Sequence, residues 1–434
     1  MTRLEGDEMK KRIITVVLIA ALLSMLAAAT AQATGFLDFS KTQQKNVTVT
    51  QEEYDRLMEI AQEYDKLSTR YDKLEKMIET VDAYYWQEPD VEAMLETAAS
   101  YLLYGLEDPY TFYYSPEDWA DMLSDDEGEY GGVGIQMLAN LEDYTVKVTR
   151  VFKDTPAERA GVMKGDLLVR VEEMEVNAYT MQDAVNIMRG EPGGVVEMEV
   201  KRGDEYLTFQ MERAVIHVNR IESTVLDDQI GYIALYEFAG ESGKEFADAY
   251  NELKKQGIKA LVVDLRDNGG GWVNHAVEIA DLFVDRGLLV SCQYRDGTHE
   301  NYTTKNGKDD IPLVFLVNEN TASSSEILSG SLQDQGRATL VGTHTFGKGI
   351  VQSVISSENF DDYDEKAGEP VWGFQMTVAQ YFLPSGAPVH KIGLTPDITS
   401  EMPEELVNYT FQLGDLSDPQ LKDAWQAAKD QIAQ

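Results

Sequence analysis

Between residues 51 and 79, apolar and aromatic side chains recur at Leu57, Ile60, Tyr64, Leu67, Tyr71, Leu74 and Ile78, in alternating steps of three and four. That spacing predicts a helix with one narrow apolar seam, opened by the capping box Thr50-x-x-Glu53. A narrow seam suits a coiled-coil contact with a second copy of the chain, and equally a contact with the chain's own globular body. A second helical pattern covers 91–104, with Leu95, Ala98 and Leu102 facing inward, and stops at Gly105. Asp108-Pro109-Tyr110 and Ser115-Pro116-Glu117-Asp118 then break the chain into turns ahead of an acidic, glycine-bearing loop over 125–134.

Beyond Gly131 the period changes. Short strands are predicted at 133–138, 145–151, 167–171 and around the alternating Val196, Met198 and Val200, with one helix at 181–188. After residue 215 the pattern becomes α/β. A strand over 230–236, a helix over 242–256 closed by Gly257 and a buried strand over 258–265 make a βαβ-like unit. Arg266-Asp267-Asn268-Gly269-Gly270-Gly271 follows, ahead of a helix over 273–283. A glycine turn at the C-terminal end of such a strand is where open α/β sheets place ligands. It has neither dinucleotide-loop spacing nor a P-loop lysine, so its use is to bring backbone N–H groups close to a substrate. A strand at 311–317, a helix at 323–335 and a strand at 338–342 complete the series.

Composition changes this picture little. The chain of 434 residues is 43% hydrophobic and 26% charged, enough for two or three domains with real cores. A formal charge of −39 disfavours nucleic acid as a partner, and the single cysteine, Cys292, excludes an internal disulfide and a cysteine-rich metal site. The N-terminus is more telling. Lys10, Lys11 and Arg12 precede a mostly apolar stretch over 13–29, followed by Ala31-Gln32-Ala33. This reads as an export segment, either a cleaved signal or a retained membrane anchor, with the body of the protein outside the cytoplasm.

Candidate chemistry sits at Thr321-Ala322-Ser323-Ser324-Ser325-Glu326. A serine where a buried strand turns into a helix faces unpaired N–H groups, which suits a nucleophile whose oxyanion must be stabilised. Ser323-x-x-Glu326 also fits a plain capping box. Downstream, Thr345-Phe346-Gly347-Lys348-Gly349-Ile350-Val351-Gln352 offers Lys348 as a base among glycines and apolar residues. To be half neutral near pH 7 its pKa must fall from about 10.4, which requires desolvation and a pocket that excludes carboxylates. Gln352 can orient it without adding charge. Of the histidines 217, 275, 299, 344 and 390, only His344 is close enough in sequence to Lys348 to rival it, and no metal-binding pattern occurs.

Two resemblances organise these motifs. Pro156-Ala157-Glu158-Arg159-Ala160-Gly161 with Gly165-Asp166-Leu167-Leu168-Val169 resembles the PDZ signature, and Gly131-Gly132-Val133-Gly134-Ile135 looks like its carboxylate-binding loop. The order of export segment, helical platform, PDZ-like domain, Asp-Leu-Arg-x-Asn-x-Gly-Gly turn, serine stretch and Thr-Phe-Gly-Lys-Gly-x-Val-Gln resembles the carboxyl-terminal processing peptidases. The match extends to Lys391-Ile392-Gly393-Leu394-Thr395-Pro396-Asp397. The resemblance implies an α/β multi-domain fold, with a crotonase-like superhelical β-α protease core, an inserted PDZ-like domain and an N-terminal helical platform. It implies segments 1–34 (signal or anchor), 50–125 (platform and dimerisation segment), 126–214 (PDZ-like), 215–400 (protease core) and 401–434 (C-terminal residues closing over the platform).

It further implies a serine endopeptidase acting on protein C-terminal tails without a cofactor. Ser323 becomes the nucleophile, Lys348, 25 positions later, the general base, and Gln352 its orienting residue. The oxyanion hole falls to the N–H of Ser324 and one from the 269–271 turn, with Gly270 at its centre; Gly132, Val133, Gly134 and Ile135 bind the tail. Asp334 matches a position with a structural role. Where the family commonly reads Ser-Ala-Ser-Ala-Ser-Glu, this chain places serine at 324.

Overall fold

The computed structural model describes residues 51–433 apart from 141–142, 306, 308, 361–369, 408 and 410. The export segment and Thr50 of the first capping box lie outside the described residues. Contacts divide the chain into two units, residues 1–116 with 354–375, and residues 117–353 with 376–434.

In the first unit, the predicted seam lies on one 34-residue helix, Gln51–Tyr84, about 51 Å long at 1.5 Å per residue. A second helix, Val91–Tyr104, starts on an Asp90 cap whose side chain accepts from Ala93 N–H at 3.0 Å and ends at Gly105. None of its residues is buried, although more than half of them are apolar. Leu74, Met77, Ile78 and Val81 of the long helix and Ala93, Met94 and Ala98 of the short one line an apolar groove of about 430 Å³. Nearby, Phe112–Tyr114 pairs antiparallel with residues 373–375, and Trp372 stacks on Phe360.

The second unit is built on two sheets and the small domain. The main sheet has six strands in chain order, Ile221–Leu226, Ile230–Leu235, Ala260–Asp264, Leu313–Val317, Thr339–Gly342 and Ile398–Thr399. Its last four pairings are parallel. Strands 260–264 and 313–317 are buried at every position, as expected for strands with both faces covered. One face packs Phe246, Tyr250, Ile279, Ile327 and Leu328 from the helices Ser242–Lys255, Val273–Ala280 and Ser324–Asp334, with Phe283 from the turn after the second. The other face is covered by the C-terminal helix Pro419–Ile432 through Leu421, Ala424 and Ala428. The sequence reading has those C-terminal residues closing over the helical platform. Their apolar stripe packs on the protease sheet, and Arg266 fixes the helix start through Asp418 (2.8 Å) and Gln420 (3.0 Å).

The second sheet joins Leu288–Tyr294, His299–Thr303, Ile350–Ser356 and Gly373–Phe382. Its strands mix apolar with polar and charged residues, and the periodicity of the sequence did not single them out.

The small domain is a five-strand antiparallel sheet, also in chain order: Ile135–Ala139, Val146–Val151, Leu167–Val171, Val195–Arg202 and Glu205–Glu212, with Met174–Glu175 added to the third. The alternation read from the sequence is the burial pattern found: Val196, Met198 and Val200 are fully buried with Val146, Val148 and Ala184. Its helices are Pro156–Ala160, capped by Thr155, and Met181–Met188.

Candidate active site

Ser323 ends the loop after strand Leu313–Val317 and begins helix Ser324–Asp334. Its backbone is in the left-handed region, φ 56° and ψ −119°, costly for a residue with a Cβ. Such strain persists only where surroundings over-determine it, and here they do. Glu326 is completely buried, and its carboxylate accepts from Ser323 N–H at 3.0 Å, Gly347 N–H at 2.8 Å, Lys348 N–H at 2.9 Å and the Thr345 hydroxyl. The predicted capping box is thus formed on its Glu326 side, and the same carboxylate ties the backbones of Ser323 and Lys348 together. Burial pushes its pKa up, and the four donors pull against that shift.

A carboxylate at this place differs from the sequence expectation of a pocket that excludes acids. Glu326 is tolerated because its acceptor capacity is filled by three backbone N–H groups and a hydroxyl. Gln352 lies on the strand after the lysine loop and donates to Thr377 Oγ1 on the neighbouring strand at 3.3 Å. His344 is exposed, and its Nε2 is engaged with the carbonyl of Ile392. Asp334 accepts from Ser385 N–H at 2.7 Å, a purely structural contact.

The glycine turn reaches the serine. A Cβ on Gly270, which has φ 100°, would come within 2.7 Å of Ser323 Cβ and 2.8 Å of Ser324 N. Only glycine fits there. The turn's choice of donor differs from the sequence reading, however, because Gly270 N–H is spent on Asn268 Oδ1 at 2.9 Å. The Gly270 carbonyl accepts from Phe238 N–H at 2.9 Å. In a trans peptide the following N–H, that of Gly271, points the opposite way. Among the described residues neither Gly271 N–H nor Ser324 N–H donates to any group, so these two replace the pair with Gly270 as candidate oxyanion donors.

Beside the turn, Asp267 forms an ion pair with Lys164 of the small domain and accepts from Asn318 and Asn320 amides at 2.8 Å. Burial alone would raise its pKa; Lys164 and the amides instead hold it at about 2. Its stabilisation is therefore complete above the ordinary carboxylate range and fades only as pH falls toward 2. Sequence reading missed this pair, as it missed Thr345 and Asn268, since nothing in their local pattern marks a contact across a hundred residues. A cavity of about 810 Å³ opens next to Lys164 and Asp267, lined also by Arg150, Asn320 and Phe411, but not by Ser323 or Lys348.

In the small domain, Val133 and Gly134 give their carbonyls to Ala157 N–H (2.9 Å) and Phe152 N–H (3.0 Å). The N–H groups of Gly134 and Ile135 consequently face the other way. Gly134 has φ 87°, and a Cβ there would lie 2.4 Å from Thr155 Cβ. Gly132 ends the short strand Glu129–Gly132, and Ile135 opens an edge strand whose outer side pairs with no strand among the described residues. An open edge beside outward N–H groups can take an extended peptide.

A strained serine at a helix start, apposed to a glycine turn and followed by a lysine loop, in a mixed α/β core joined to a PDZ-type domain, defines a serine peptidase. Residues 229–400 match Peptidase family S41, and residues 147–202 match a PDZ domain. The chain is 33% identical over 351 residues to a carboxy-terminal-processing protease of Bartonella bacilliformis, covering 78% of this chain and 77% of the relative. It is 31% identical over 344 residues to the carboxy-terminal processing protease CtpA of Bacillus subtilis, covering 79% and 70%. Among solved structures it resembles a photosystem II D1 C-terminal processing protease, with TM-score 0.59, 30% identity and coverage of 79% and 94%. The chain belongs to peptidase family S41, the carboxyl-terminal-processing proteases.

Proposed function

We propose that this protein is a cell-envelope endopeptidase that captures the C-terminal tail of a protein on its PDZ domain and cleaves the chain with a Ser323/Lys348 dyad. The observation supporting the dyad is the shared carboxylate: Glu326 binds the N–H of Ser323 at 3.0 Å and of Lys348 at 2.9 Å. In this reading neutral Lys348 takes the proton of Ser323 as its oxygen attacks the carbonyl, the N–H groups of Ser324 and Gly271 receive the oxyanion, and the lysine returns the proton to the leaving amine. Water then resolves the acyl-enzyme. Gln352 orients the lysine from its strand. The residues present need no cofactor for this chemistry, and among those described no cluster suits a metal.

The test is cleavage of an unfolded protein ending in an apolar tail. Capping that tail with two C-terminal aspartates should slow cleavage about tenfold or more by removing PDZ capture, while wild-type speed on the capped protein would remove tail recognition from the proposal.

The envelope location rests on the apolar run over 13–33 behind Lys10, Lys11 and Arg12, with cleaved signal or anchor as its two forms. No helix among the described residues is long and apolar enough to cross a membrane. Membrane fractionation of cells making the full chain distinguishes them. A homodimer through 50–80 is proposed from the heptad seam, on which Tyr71 and Leu74 are 54% and 42% exposed. Sedimentation of the protein without residues 51–80 checks it: an unchanged oligomer would remove that contact.

A further inference from the structure

The residue after the nucleophile carries a hydroxyl that the chemistry just described does not use. Ser324 is completely buried, and its Oγ donates to the carbonyl of Gly271 at 2.7 Å, across 53 residues of sequence. That carbonyl belongs to the peptide leading into Trp272, whose N–H donates on the opposite side to Phe238 at 2.7 Å. The peptide is thereby gripped from both sides, by the strand region at 238 and by the helix that begins after Ser323.

The next serine does the same at the other end of the turn. Ser325 Oγ donates to the carbonyl of Asn268 at 3.0 Å. This second contact is backed by others: Ala322 N–H also donates to Asn268 O at 3.0 Å, and the Asn268 amide donates to Leu235 O at 2.8 Å. The Gly271 carbonyl has no second donor among the described residues. The residue's φ is 134°, where a Cβ would lie 2.3 Å from Phe238 O, so the position must be glycine, the residue least able to hold its own conformation. Among the described residues only the Ser324 hydroxyl joins this glycine by a hydrogen bond to the helix that presents Ser324 N–H.

We propose that Ser324 is a positioning residue for the oxyanion hole: its hydroxyl fixes the Gly271 carbonyl, and with it the 271–272 peptide, against the start of the nucleophile helix, while Phe238 N–H holds the adjoining 270–271 peptide through the Gly270 carbonyl, so that the N–H groups of Gly271 and Ser324 form a pre-set pair of donors. Preorganisation is what makes such donors effective, because a donor already aimed at the developing charge need not reorient during the reaction. The proposal rests on Ser323 as nucleophile and concerns the geometry of the charge it generates. It also gives a use to one of the two positions, Thr321 and Ser324, where the serine stretch departs from the pattern it resembles.

The test is Ser324→Ala in the full chain, with Ser323→Ala in parallel. The expected result is a kcat lower by about five- to tenfold, the effect of one lost positioning hydrogen bond, with KM unchanged within twofold. Affinity for a peptide boronate, whose tetrahedral adduct places an oxygen in the oxyanion hole, should fall by the same factor. Affinity for the uncleaved peptide, measured in the Ser323→Ala background with and without Ser324→Ala, should not change. An unchanged kcat and boronate affinity would overturn the proposal, and so would a loss confined to KM and thermal stability, which marks packing alone. If Ser323→Ala still cleaves, the nucleophile assignment fails instead, and the two failures are thereby told apart.

Discussion

Lys348→Ala should lower cleavage of an unfolded substrate by about a thousandfold or more while leaving tail binding to the PDZ domain unchanged. General acid–base groups commonly contribute 10²- to 10⁴-fold, and here the same group would deprotonate the nucleophile and protonate the leaving amine, so its removal blocks both transfers. Lys348→Arg sharpens the expectation. The guanidinium retains positive charge and length but does not give up a proton near neutral pH, so a base role predicts that arginine fails as completely as alanine. If Lys348→Arg kept a tenth or more of the activity, the lysine would be acting as a charge and the dyad would be lost. His344→Ala is the matching control. With its Nε2 on the Ile392 carbonyl, its loss should change the rate only a few-fold.

Much of this site is legible in the sequence because its parts are local. The serine stretch, the glycine turn and the lysine loop each lie where one strand ends, and a strand's burial is written in consecutive apolar residues such as Leu313 to Val317. The PDZ strands are legible for the same reason, since Val196, Met198 and Val200 alternate with charged neighbours. What is not legible is which atoms meet. A glycine run does not tell which N–H is already spent, and only the fold reveals that Gly270 gives its own to Asn268 while Gly271 and Ser324 keep theirs. The strands at 288–294 and 373–382 stay hidden because each buries residues against several neighbours at once, with Cys292 and Tyr381 among them, and so lacks a clean period of two. Glu326 is the instructive case. Its spacing from Ser323 reads as a cap, and its carboxylate does accept from Ser323 N–H. Its second task, holding the lysine loop through contacts 19 to 22 residues away, has no signature in the serine stretch itself.

That second task gives the other large effect. Glu326→Gln preserves size and removes one acceptor oxygen, so an NH₂ must face either the N–H groups of Ser323 and Lys348, or Thr345 and Gly347, of which only the threonine hydroxyl can turn to accept. Each buried donor left without an acceptor costs about 1–3 kcal/mol, and at least one is orphaned in either orientation. The loop can relieve this only by moving Lys348 away from Ser323. We therefore expect kcat to fall by a hundredfold or more, with tail binding intact, and near-normal kcat in Glu326→Gln would show that the shared carboxylate does not position the dyad. The pH dependence gives an independent reading. Burial raises the Glu326 pKa above its ordinary value of 4.5, so on the acid side the carboxylate protonates, loses acceptor capacity and the rate drops at a higher pH than an ordinary carboxylate would dictate. Stability moves in the opposite direction. Between 4.5 and the raised value the folded chain holds a proton that the unfolded chain has released, so this group's contribution to stability falls as pH rises through that window. Activity climbing while thermal stability declines over the same pH interval, with both trends attributable to this group absent in Glu326→Gln, is the joint signature expected of a buried carboxylate that must ionise to hold a nucleophile and its base together.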